Sequence, residues 1–148
     1  MSIAGNVSQE TIPLNKRMLI TSIYAAILGL VFAALSIRTL LLRRQLGVAI
    51  GDGDQAALAR AIRVHANFAE YVPLSLILIY FSEIQMQTSL WIHLLCSALV
   101  IGRIIHAIGV SQVKENFRYR VIGMGVTFTV MISASIGLMI SGGLHLGA

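Results

Sequence analysis

Three side chains that hydrocarbon does not tolerate, Arg63, Asn67 and Glu70, sit inside a segment that has to cross a membrane. The apolar run that follows them, Tyr71 to Phe81, is too short to cross a hydrocarbon layer of about 30 Å, so a span ending at Phe81 begins near Ile62. At about 100° per residue, Arg60, Arg63, Asn67 and Glu70 fall within an arc of about 80° on one helical face. A charge at the centre of a bilayer costs about 2.5 to 3.5 kcal/mol on insertion scales. Such groups persist where they face a protein interior or a water-filled cavity and find partners, so this face is the first candidate for a functional site.

The rest of the chain has the same character. Of its 148 residues, 57% are hydrophobic and 11% charged, too apolar for an ordinary soluble domain, and the length allows one membrane unit spanning residues 1–148. Hydropathy predicts an all-α integral membrane protein, a four-helix transmembrane bundle with helices at about 14–42, 57–81, 90–110 and 119–144. The net charge of +5 comes from Lys and Arg scattered among helix ends, which argues against a nucleic-acid partner. Cys96 is the only cysteine, so an intrachain disulfide and an all-cysteine metal site are excluded, and it reads as a small core residue. No metal is expected. Lys16-Arg17 before an apolar stretch resembles a secretory signal, but the stretch from Met18 to Leu42, interrupted only by Arg38, is longer than a signal core and reads as a retained span.

The first connection, around Gly47 to Asp54, is glycine-rich and acidic; it lacks the Gly-Lys-Ser/Thr ending of a phosphate loop, and Asp52 and Asp54 would repel phosphate. The second, Ser82 to Ser89, is short enough to make its helices antiparallel neighbours. Arg38, Arg43 and Arg44 flank the first loop and Lys114, Arg118 and Arg120 the third, whereas the second loop and the C-terminal tail carry no Lys or Arg. The positive-inside rule puts loops one and three in the cytoplasm and both termini outside; Lys16 and Arg17 oppose this and are outnumbered. With no organelle signal, a bacterial inner membrane is the expected location. Tyr80 and Trp91 bracket loop two, where an aromatic interface belt belongs. Pro73 removes a backbone donor inside helix two and predicts a kink beside the polar face. Gly123, Gly125 and Gly137 read as close-packing positions in helix four.

Three further polar positions point to the same leaflet. Arg103 and His106 share a face of helix three, and Arg120 opens helix four with Thr127 two turns on. Converging with the helix-two face, they would build a pocket with several guanidinium groups and one carboxylate, Glu70, suited to an anion that also carries a positive group. The competing reading is an internal salt-bridge cluster, Arg63 or Arg103 with Glu70, that only ties helices together; one Glu does not neutralise that many cations. His65 lies off the polar face and reads as a packing or interface histidine.

Arg63-x-x-x-Asn67-x-x-Glu70-Tyr71-x-Pro73 in the second of four spans, with Arg103-x-x-His106 in the third and Arg120-x-x-Gly123-x-x-x-Thr127 opening the fourth, resembles the membrane-associated proteins in eicosanoid and glutathione metabolism. The resemblance covers almost the whole chain, and its helix-two motif is the specific part. It implies a homotrimer with glutathione held in clefts between subunits that open toward the cytoplasm. By the same resemblance Arg63, Asn67, Glu70, Tyr71, Arg103 and His106 contact or support glutathione, Arg120 stands beside its thiol, and Arg43 at the end of helix one, with Arg38 or Arg44 as substitutes, adds a second basic patch. Two carboxylates for the arginines and one ammonium for Glu70 make glutathione a sensible fit. The chain departs from the eicosanoid enzymes at Val110 and Met124, where relatives carry tyrosine, which disfavours prostaglandin or leukotriene synthesis.

The resulting expectation is a membrane glutathione transferase, with possible peroxidase activity toward lipid hydroperoxides, in which a lipophilic electrophile reaches the thiolate from the bilayer. Its competitors are a non-catalytic lipid-binding or scaffold protein of the same fold and a small transporter or proton pathway using Arg63, Glu70 and Arg103. The lack of paired acidic residues along several helices counts against the last.

Overall fold

The computed structural model describes residues 20–86, 88–112 and 117–146, with side chains in the last helix through residue 142. Four helices make up the described chain: α1 (Ile20–Leu46), α2 (Ala56–Met86), α3 (Ser89–Ser111) and α4 (Phe117–Leu146). All four are long and apolar enough to cross a membrane. The expected start of the first span at Leu14, the signal-like Lys16-Arg17 pair and Lys114 lie outside the described residues.

The second span runs past its expected end at Phe81 to Met86, so the second connection is shorter than the Ser82 to Ser89 expectation. Ser82 explains part of the difference: its hydroxyl donates to the Leu78 carbonyl at 2.9 Å, turning its own polarity inward along the helix. α2 also continues through Pro73 without interruption. Its buried residues Leu58, Ala61, Val64, Phe68, Val72, Ser75, Ile79 and Ser82 recur at three- and four-residue intervals, the period of one helical face.

α2 and α3 form the middle of the bundle, each touching the other three helices, while α1 and α4 flank them without touching each other. The core gathers Leu28 from α1, Phe68, Val72 and Ile79 from α2, Ile92, Leu95, Cys96 and Leu99 from α3, and Val130 and Ala134 from α4. Cys96 is thus a core residue. Between α1 and α2, His65 stacks on Phe32 with ring centroids 4.7 Å apart. The Ser36 hydroxyl donates to the Phe32 carbonyl at 2.8 Å, which leaves it to accept from His65 Nε2 at 3.0 Å. His65 is a packing histidine.

The α3–α4 seam is made of glycine on both sides. A Cβ on Gly123 would stand 2.6 Å from His106 Cβ and 2.7 Å from the Gly102 carbonyl oxygen, and one on Gly109 would stand 2.9 Å from the Arg120 amide nitrogen. Without a hydrophobic drive between helices in lipid, such close backbone approach is what dispersion and packing require. Gly125, expected to play the same part, faces open space instead.

Helix ends account for several charges. Glu83, near the end of α2, accepts the amides of Ile20 (2.5 Å) and Thr21 (2.9 Å) at the start of α1, where intrahelical acceptors are lacking. At the end of α3, Arg60 Nη1 donates to the Val110 carbonyl at 3.3 Å and Arg38 Nη1 to Ser111 Oγ at 2.6 Å, so cations from α2 and α1 meet the negative end of a third helix. Arg43 Nη1 donates to the carbonyls of Val48 (3.4 Å), Ala49 (3.2 Å) and Gly51 (2.9 Å), tying down the first loop. Gly47, Gly51 and Gly53 turn that loop at positive φ.

The glycine seam gives a paired prediction. Gly123→Ala forces a methyl into backbone and should cost about 1 to 3 kcal/mol, whereas Gly125→Ala, with nothing to strike, should stay within about 0.5 kcal/mol of the parent. Thermal unfolding of the two variants in detergent measures the difference.

Candidate functional site

The centre of the polar constellation is Arg103, and it is inside the bundle. Its side chain is 1% exposed, enclosed by α2, α3 and α4. Nη2 donates to Asn67 Oδ1 at 2.6 Å, Nη1 approaches the Met124 sulfur at 3.7 Å, and the guanidinium carbon lies 5.5 Å from the centre of the Phe68 ring. Nε, also buried, meets no acceptor among the described residues. The guanidinium is therefore held by an amide oxygen, a thioether and a π-face, with no carboxylate. The expected alternative of an internal Arg–Glu pair is not formed: Glu70 lies exposed on α2, and neither it nor Arg63 has a partner among the described residues.

This contact decides what Asn67 offers. Since its Oδ1 accepts from Arg103, the amide nitrogen carries two N–H groups directed elsewhere. Asn67 is partly buried between Arg63 and Glu70, which are both exposed on the outer side of α2. The strip thus presents a cation, an amide donor and a carboxylate in sequence over two turns. The stripe continues along the helix: positions 63, 70, 77 and 84 are Arg63, Glu70, Ile77 and Ile84, with Ile77 at 50% and Ile84 at 48% exposure. Seven residues is the spacing of a coiled-coil repeat.

Arg120 stands at the start of α4, lining a cavity of about 350 Å³ whose other walls are Phe117, Val121, Met124, Gly125 and Phe128. The cavity is a cation set in apolar surroundings on one face of α4. His106, buried in α3, places Nδ1 3.3 Å from the Arg120 carbonyl oxygen, so the imidazole supports the backbone under Arg120. Two links join the cavity to the α2 strip. The Tyr71 ring meets Phe128 edge-on at 5.5 Å, and Met124 reaches Asn67 through Arg103.

The expected residues therefore sort into groups. Arg63, Asn67, Glu70 and Tyr71 form one surface, and Arg103 and His106 lie behind it as supports. Arg120 occupies the adjoining cavity. Arg43 and Arg38, expected to supply a basic patch, bond to loop one and to Ser111, while Arg44 is exposed beside Arg43. Thr127 does not join Arg120. It is fully buried and donates to the Gly123 carbonyl at 2.8 Å, because a hydroxyl in an apolar core finds its nearest acceptor one turn back on its own helix.

Two features of the candidate site were missed from sequence. Met124 was read only as a missing tyrosine, yet its sulfur is an acceptor for Arg103 and a wall of the cavity. The seven-residue stripe was present in the sequence, but Ile77 and Ile84 look like any lipid-facing residues until Arg63 and Glu70 are aligned with them. A second polar cluster joins α1 to α3, where the Tyr24 hydroxyl lies 3.2 Å from His93 Nδ1 and 3.0 Å from Ser97 Oγ. No group of three metal-ligating side chains occurs among the described residues.

Comparison with known proteins identifies the family. The model of the MAPEG family matches residues 21–140. The chain is similar to the inner membrane protein YecN of Escherichia coli strain K12, 32% identical over 114 residues that make up 77% of this chain and 86% of that protein. The same figures hold for YecN of Escherichia coli O6:H1. Four apolar helices, the polar motif on the second of them and a family match spanning nearly all of the described bundle lead to one statement: this chain belongs to the MAPEG family.

Proposed function

We propose that this protein is a membrane glutathione transferase acting as a homotrimer, with glutathione at the α2 strip and a lipophilic electrophile in the cavity beside Arg120. The observation that carries the reading is the outward-facing strip itself. Arg63 and Glu70 are charged, exposed on a membrane-spanning helix and without partners among the described residues. Lipid cannot cover them. A second copy of the chain packed along positions 63, 70, 77 and 84, together with a zwitterionic peptide, can: Arg63 takes a carboxylate, Glu70 the ammonium, and the Asn67 amide donates to a second oxygen. Arg103 and His106 act as positioning residues, one orienting Asn67 and the other the Arg120 backbone.

The division of labour follows from charge. A free thiol has a pKa of about 8.5, so only a few per cent is thiolate at neutral pH. A guanidinium a few ångströms away lowers an acid's pKa by about one to three, which enlarges that fraction. Arg120 fills this role in a cavity whose remaining walls are apolar, where charge stabilisation is least screened. The thiolate sulfur forms a bond to the electrophilic carbon while the leaving group departs with its electron pair; the thiol proton has already gone to solvent. With lipid hydroperoxides the same thiolate attacks the terminal oxygen, the O–O bond breaks to release the alcohol once protonated, and a second glutathione reacts with the resulting sulfenic acid to give the disulfide and water. Of the cations closing α1, Arg43 would offer its remaining nitrogens to a carboxylate, and Arg44, exposed beside it, has no side-chain partner among the described residues. The positive-inside rule, applied to the basic ends of α1 and α4, supports a site that opens with loops one and three to the cytoplasmic side of a bacterial inner membrane.

Ultraviolet thiolate absorbance tests the chemistry. Purified protein mixed with glutathione should develop it, and Arg120→Ala should reduce it about tenfold, the effect of one unit in pKa. Lipid binding with no thiolate would support the scaffold reading, and neither glutathione binding nor conjugation to a broad electrophile would end the proposal. Cysteine cross-linking tests the assembly. In a Cys96→Ser background, Ile77→Cys or Ile84→Cys should cross-link subunits in membranes, while Leu30→Cys, 74% exposed on α1, should not; failure at both seam positions would refute packing along α2.

A further inference from the structure

The buried guanidinium of Arg103 and the cavity beside Arg120 share one residue, Met124, whose sulfur meets Arg103 and whose side chain lines the cavity. We propose that Met124 is an oxidation site: an organic hydroperoxide entering the cavity from the bilayer converts it to the sulfoxide, and Arg103 captures the new oxygen.

Three observations carry this. First, Arg103 has more donors than acceptors around it. Nη2 has a short bond to Asn67, but Nη1 has the thioether at 3.7 Å, a weak acceptor, and Nε has none. A sulfoxide oxygen on the same sulfur is a strong acceptor delivered to the place where the guanidinium lacks one, so the oxidised side chain is stabilised by a charge-assisted hydrogen bond that the reduced one does not make. Second, Met124 is not sealed in. It lines the cavity of about 350 Å³ along with Phe117, Val121 and Phe128, apolar walls that admit a lipophilic peroxide, and Gly125 beside it leaves open space. Third, Arg120 lines the same cavity, where negative charge would develop on the departing oxygen.

The step balances within the two reactants. The sulfur lone pair attacks the terminal peroxide oxygen, the S–O bond forms as the O–O bond breaks, and the hydroperoxide's own proton ends on the departing oxygen. The sulfur is oxidised by two electrons and the hydroperoxide is reduced to an alcohol, with no further reductant. The consequence reaches the α2 strip, because the guanidinium that donates to the new oxygen belongs to the residue that orients Asn67. A sulfoxide also makes one wall of the cavity polar, which disfavours an apolar electrophile. The proposal needs only the cavity and a hydroperoxide, so it stands whether or not glutathione binds.

The test is peptide mass mapping of the full-length protein in lipid nanodiscs treated with cumene hydroperoxide, without glutathione. Oxidation governed by exposure alone would take Met139 first, since it is 77% exposed on α4, and leave the partly buried Met124 behind. The expected result is the reverse order, with Met124 gaining an oxygen several-fold faster than Met139. Arg120→Gln should remove the advantage without altering the rate at Met139. Met124→Leu, close in volume and free of sulfur, should abolish any hydroperoxide-induced change in intrinsic fluorescence. Oxidation of Met139 ahead of Met124, or equal rates at both, would overturn the proposal, and so would a fluorescence change that persists in Met124→Leu.

Discussion

An arginine enclosed at membrane depth without a carboxylate governs this bundle. Arg103 belongs to α3, takes its short hydrogen bond from α2 and its sulfur contact from α4, so one charge ties three helices at a single level. An ion in such a place is costly to desolvate. Here the guanidinium is delocalised and weakly hydrated, which suits it better than lysine to an amide oxygen, a thioether and an aromatic face. Lysine could not reproduce the planar approach to Phe68 and the simultaneous contacts to Asn67 and Met124. The arrangement orients more than it stabilises: it fixes which way the Asn67 amide faces and where the Met124 sulfur sits.

The other arginines follow from the same scarcity of acceptors in lipid. Where a helix ends, its last carbonyls have no intrahelical donor, and a cation there satisfies them and meets the negative end of the dipole. Arg60 and Arg38 do this for α3, and Arg43 holds the loop after α1. Glu83 does the converse at the start of α1. These contacts consume charges that look equivalent in sequence to those of the strip, whereas Arg63 and Glu70 remain exposed on α2.

That sorting explains what could be read from sequence. Spans, their number and the polarity of α2 were legible because hydropathy is a property of single segments; boundaries shifted by a few residues, as at the end of α1, which runs to Leu46, and at the end of α2, where Ser82 turned its hydroxyl along the helix. The packing roles of His65 and Cys96 were legible too, one lying off the polar face and the other within an apolar run. The fate of each arginine was not, since it depends on which helix end lies within reach of a flexible side chain. Thr127 shares a helical side with Arg120 on a wheel, yet the close approach at Gly102 and Gly123 turns that side into α3. The same approach makes Met124 a neighbour of Arg103 across the seam, a relation between residues 21 positions apart that no local pattern encodes.

The single chain also has an open architecture that bears on function. α1 and α4 do not touch, so the bundle is a central pair with two flanks, and the apolar hollows lie on its outer surfaces. Between α1 and α2 one such hollow of about 270 Å³ is lined by Phe32 and by Phe68, the ring that Arg103 also meets. The Arg120 cavity lies on the opposite flank and reaches the same guanidinium through Met124. Arg103 is therefore the point where both flanks and the outward strip of α2 meet. The two hollows and the strip are thus connected through contacts to one charge.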